Sequence, residues 1–152
     1  MKKLLSLIAT CFILSVNAQT ISFNPRTGDI ELDNILKDIN TKAKDDLSAF
    51  VQNAVTTFNV AKNTVDGLLK DLLPGDAFMV LQTAQVVNKP IETISTTYQK
   101  NKDKGWGQIA KELGIKPGSA EFHALKGKAK NNGKGKEKAK GNSKGKSNGK
   151  KA

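Results

Sequence analysis

From Leu32 to Phe58 the apolar residues Leu32, Leu36, Ile39, Ala43, Leu47, Phe50, Ala54 and Phe58 follow one another at steps of three or four. An α-helix turns once in about 3.6 residues, so it gathers such a series on one face, whereas a strand divides it between two. The segment therefore has to be helical, as one helix to Phe58 or as two. Asn40 to Asp46 is polar apart from Ala43, which favours a break or weak join near Asp45-Asp46. Asp29, Glu31 and Asp33 stand where the positive end of a helix favours carboxylates.

The same period continues downstream. Ala61, Val65, Leu68, Leu69 and Leu72 form a second stripe, which Leu73-Pro74-Gly75-Asp76 ends. Pro74 suits the first turn of a new helix, because its missing N–H would have had no partner there. Ala77, Val80, Leu81, Ala84 and Val87 form its face, and Asn88-Lys89-Pro90 closes it. Ile91, Ile94 and Tyr98 follow. Beyond Lys104-Gly105, Trp106, Ile109, Ala110 and Leu113 make a short helix with Gly114 as a left-handed cap. Ser119 caps a last one or two turns anchored by Phe122 and Leu125. No segment alternates with period two, and none repeats as a solenoid would. The expected fold is an all-α bundle of five or six short helices.

Before that bundle lie Lys2 and Lys3, an apolar run from Leu4 to Val16, and Val16-Asn17-Ala18 with small residues at the positions a signal peptidase reads. This is the layout of a secretory signal cut after Ala18, and the run is shorter than the about 20 residues a membrane span needs. The single cysteine, Cys11, falls inside the signal, where Ile8-Ala9-Thr10-Cys11 is only loosely lipobox-like. The mature chain then has no cysteine, hence no disulfide or thiolate metal site, and no transmembrane span. The expected organisation is signal 1–18, an extended leader 19–31 with the turn Asn24-Pro25-Arg26-Thr27-Gly28, a helical domain 32–126, and a tail 127–152. The expected location is outside the cytoplasm.

The formal net charge of +11 is unevenly spread. Residues 126–152 carry eleven lysines and one acid, Glu137, while residues 19–125 hold twelve basic and thirteen acidic side chains. A nearly neutral body thus bears a cationic tail with no large apolar residue after Leu125. Such a tail buries too little to offset its ordering entropy and is expected to be disordered. Its lysines, Lys126, Lys128, Lys130, Lys134, Lys136, Lys138, Lys140, Lys144, Lys146, Lys150 and Lys151, are the candidate contacts with polyanions. Binding would proceed by counterion release and be steeply salt-dependent. The tail lacks arginine and aromatic residues, so it has no planar fork or stacking group with which to select a sequence.

The most distinctive stretch runs from Lys104-Gly105-Trp106-Gly107-Gln108-Ile109-Ala110-Lys111-Glu112-Leu113-Gly114 through Ile115-Lys116-Pro117-Gly118-Ser119-Ala120-Glu121-Phe122-His123-Ala124-Leu125-Lys126. It resembles a module, roughly GWGxIAKxLGIKPGSxEFHxLK, at the C-terminal end of exported bacterial proteins of unknown function. The resemblance extends more weakly upstream, to about residue 45. It implies one small helical exported domain and supplies no activity, cofactor or catalytic residue. Gly105 and Gly107 are expected to let backbone approach the indole, with Trp106 and Phe122 as core anchors worth about 1.5–3 kcal/mol each on burial.

Residues 106–125 also have the outline of a helix-turn-helix, with a second helix starting at Ser119 and carrying Glu121 and His123. Glu121 is a poor phosphate neighbour, and no Arg or Gln follows to read base edges, so no sequence-specific nucleic acid is expected. His123, the one histidine, has no cysteine or second imidazole to share a metal with. Asp45-Asp46, Asp66, Asp71 and Asp76 follow no calcium-loop spacing, and neither a nucleophile elbow nor a phosphate loop occurs. No catalytic residue, metal site or cofactor is expected. What remains is a non-catalytic secreted helical protein whose tail meets an anionic envelope surface or polyanion, with nucleic-acid binding through residues 106–125 and the tail as the alternative.

Overall fold

Ten consecutive residues, Gly75 to Ala84, are buried, and all lie on one helix. That helix is the axis of the molecule. The computed structural model describes residues 23–133. Among them the chain forms α1 (Ile30–Asp45), α2 (Leu47–Phe58), α3 (Lys62–Leu68), α4 (Pro74–Val87) and α5 (Ile91–Asn101). A 3₁₀ turn, Lys102–Lys104, leads to α6 (Trp106–Glu112) and α7 (Ala120–Gly133). The described residues are all-helical, with no strand. There are seven α-helices rather than five or six, the seventh arising because the break at Asp46 divides the first apolar stripe into α1 and α2.

Several boundaries are set by caps. Asp29 accepts from the Leu32 N–H at 3.0 Å at the start of α1. Asp46 serves two helices: its own N–H bonds to the Lys42 carbonyl, and its carboxylate accepts from the Ala49 N–H at 2.9 Å. The break at Asp45-Asp46 is therefore real, and it changes the phase of the stripe. Leu47, expected inside, is half exposed, and Val51 joins Ala54 and Phe58 in the core instead. Asn59 and Asn88 end α2 and α4 with φ near +51°, a conformation their short polar side chains tolerate. Gly114 is left-handed after α6, and Ser119 Oγ accepts from the Phe122 N–H at 3.2 Å.

Helices α1, α2, α5 and α7 all pack on α4. Surrounded on every side, α4 is buried all round rather than amphipathic, so Gln82 and Thr83 enter the core beside Phe78, Met79, Val80 and Leu81. The Gln82 amide donates to the Ala124 carbonyl at 3.2 Å, which ties α4 to α7.

Three expectations are corrected. Phe122 is half-buried and outside the core; Leu125 and Ala129 carry the inward face of α7, and Phe122 stands beside His123 at its edge. Ala61 is exposed, because it precedes α3 rather than lying on its face. Order also extends beyond residue 127: α7 runs to Gly133, held by the burial of Ala129 and by lysines that reach back to α1. The expected signal, 1–18, and the tail after Gly133 lie outside the described residues.

Candidate functional site

The eleven candidate polyanion contacts divide at Gly133. Three are on α7. Lys126 Nζ bonds to Asp29 Oδ2 and Glu31 Oε2, both at 2.9 Å, and Lys130 Nζ reaches Glu31 Oε1 at 3.0 Å. Lys128 Nζ donates to Gln85 Oε1 at 2.9 Å. Lys126 and Lys130 are one helical turn apart, which is why one glutamate at the start of α1 can meet both. The bond from Lys126 holds the Asp29 and Glu31 carboxyls below the usual carboxylate range, and the two acids in turn raise the Lys126 ammonium. Lys134, Lys136, Lys138, Lys140, Lys144, Lys146, Lys150 and Lys151 lie outside the described residues. Sequence reading assigned Asp29 and Glu31 to the helix dipole alone, since nothing local reveals a partner about a hundred positions away.

Trp106 is the core anchor its sequence suggests, while the glycines on either side of it serve a different purpose. Trp106 is 2% exposed, so its ring offers no platform to a base or sugar. Its Nε1–H donates to Asp76 Oδ1 at 2.7 Å, and the Tyr98 ring stacks on it with centroids 5.0 Å apart. Burial pushes the Asp76 carboxyl above the ordinary carboxylate value, and the neighbouring Trp106 and Tyr98 side chains oppose that. Burial and the neighbouring Asp76 likewise push the Tyr98 hydroxyl up.

The two glycines serve the leader, not the indole. The Trp106 N–H donates to the Pro25 carbonyl at 2.8 Å, and the Gly107 N–H to the Arg26 carbonyl at 2.9 Å. A Cβ on Gly107 would lie 2.9 Å from the Thr27 oxygen, and one on Gly105 would lie 2.6 Å from Arg26 Cβ. Only a residue without a Cβ admits the leader so closely. Arg26 also donates through its guanidinium to the Asp103 carbonyl. Thr27 is buried, its N–H and hydroxyl both on Asp33 Oδ1 at 2.9 and 2.7 Å. The leader is thus clamped between α1 and α6, turning through positive φ at Arg26 and Gly28 rather than running extended.

The helix-turn-helix outline is not a free-standing pair: α7 packs on α1 and α4, while α6 packs on α5 and the 3₁₀ turn. His123 and Glu121 are exposed on α7, and His123 touches the Phe122 ring edge-on at 6.2 Å. The Glu121 carboxyl is lowered by its own backbone N–H and by Ser119, as befits the first turn of a helix. Among the described residues no group of three or more His, Cys, Asp or Glu is placed to hold a metal, and no helix is long and apolar enough to cross a membrane. Comparison with protein families, with curated proteins and with solved structures finds no match for this chain.

Proposed function

We propose that this protein is a non-catalytic exported helical module that presents a lysine-rich tail to an anionic surface. The observation that carries the reading is the partition of charge. Lys126 and Lys130 are engaged with α1 carboxylates, so they fix the base of the tail to the body. The eight lysines beyond Gly133 are accompanied by one acid, Glu137. A cationic chain of that composition gains affinity by releasing counterions from phosphate- or sulfate-rich surfaces. The Lys2-Lys3 and Leu4 to Val16 pattern supports export, and envelope surfaces are the polyanions met there.

The test is retention of the full chain on heparin and on anionic vesicles across a salt gradient. Replacing the eight lysines beyond Gly133 by glutamine should remove retention and flatten the dependence of log affinity on log salt. An unchanged salt profile would refute the reading. Preference for one duplex over unrelated duplexes at moderate salt would replace it with sequence-specific nucleic-acid binding.

A further inference from the structure

Helices α1, α2 and α4 leave a half-enclosed cavity of about 270 Å³ between them. Phe58 and Phe78, each 3% exposed, lie at its bottom with Ile39, while Ala43 and Ala54 face it from the two flanking helices. Exposed Ala49 and Asn53 stand at the mouth, where Lys42 and Asp46 bring one positive and one negative charge. The joint at Asp46 splays α1 from α2, and alanines on the facing walls are too short to close the gap.

We propose that this cavity binds one unbranched alkyl chain of about ten carbons bearing an uncharged polar head. Three features select that guest. An apolar cavity of about 150 Å³ takes one six-carbon ring, so the present volume admits on the order of ten carbons. The lining extends from Ile39 to Asp46 on α1 and from Ala49 to Phe58 on α2. At a rise of about 1.5 Å per residue these spans are roughly 10–13 Å, which leaves a cross-section of about 20 Å², a single hydrocarbon chain wide. The mouth is polar, with its two charges of opposite sign, so an uncharged head meets neither repulsion nor an unmatched ion. This site is separate from the tail and independent of the function proposed for it.

The experiment titrates the full chain with straight-chain 1-alkanols of four to fourteen carbons, by calorimetry and by the shifts of alanine methyl resonances. One site should appear, with affinity rising to about ten carbons and not beyond, and with Ala43, Ala49 and Ala54 responding. Ala54→Phe should fill the cavity and weaken decanol binding at least tenfold. Ala49→Trp, at an exposed position that tolerates a large side chain, should block the mouth with a similar loss. Absence of binding, affinity that keeps rising with chain length, or affinity unchanged in both variants would overturn the proposal. So would shifts centred on Leu47 and Leu73, or a dimer that Ala49→Trp dissociates.

Discussion

The two ends of α1 are built in opposite ways. At its start, Thr27, Asp29, Glu31 and Asp33 are each bonded within the leader or to α7, and glycines bring two backbones almost into contact. At its finish, α1 gives way to α2 through a single shared aspartate, leaving a cavity on one side and a half-exposed Leu47 on the other. Closure at the first end is achieved by pieces distant in sequence that fit only each other. Openness at the second follows from small side chains between helices that are neighbours in sequence. A domain of this size is stable by only about 5–15 kcal/mol, so it can leave one end loose only if the other is well fastened.

Substitutions should separate the ends. The largest effect is expected for Trp106→Ala, which empties the space under Tyr98 and strips the buried Asp76 of a donor. Its cost should be about 3–5 kcal/mol, read from urea unfolding. Gly107→Ala pushes a methyl group into the leader backbone and should cost about 1–3 kcal/mol. A cost at Gly107 no larger than at an ordinary exposed position would dissolve the contrast.

Asp76→Asn sharpens it through pH. The folded carboxyl lies above its ordinary value of 3.8. Between that value and the raised one the unfolded chain releases the proton first, so the native protein loses stability as pH rises through this window. Asparagine has no proton to lose, so the stability of the variant relative to wild type should improve across the window and level off above it. A constant difference from pH 3 to 8 would contradict the assignment. The smallest effect is expected at the open end, where Ala49→Leu should change stability by less than about 0.5 kcal/mol in the same unfolding experiment.

Much of the architecture was legible from local chemistry. The Asp45-Asp46 break, Pro74 opening α4, Asn88 closing it, Gly114 and Ser119 all act within four residues of themselves, so spacing and capping rules find them. The rest depended on partners far along the chain. Gln82 and Thr83 look like a polar face of α4 until four helices surround it. Gly105 and Gly107 announce a close approach without naming what approaches, and Pro25, Arg26 and Thr27, some eighty positions earlier, show no helical or strand periodicity that would mark them as the partner. Lys126 and Lys130 look like the start of a solvated run because their carboxylates are at the other end of the sequence. Of the candidate contacts, composition identified the charge and only the fold showed that Lys126, Lys128 and Lys130 are engaged by partners on the body.

Amide hydrogen exchange at Trp106 and Gly107 tests the central claim, that docking of Pro25 and Arg26 fastens the closed end of the domain. Both N–H groups are first-turn donors that α6 itself leaves without partners, and both bond to leader carbonyls. They are predicted to exchange as slowly as the amides in the middle of α4 and to open with them. Exchange at the rate of an unprotected amide, with α4 still protected, would contradict the account.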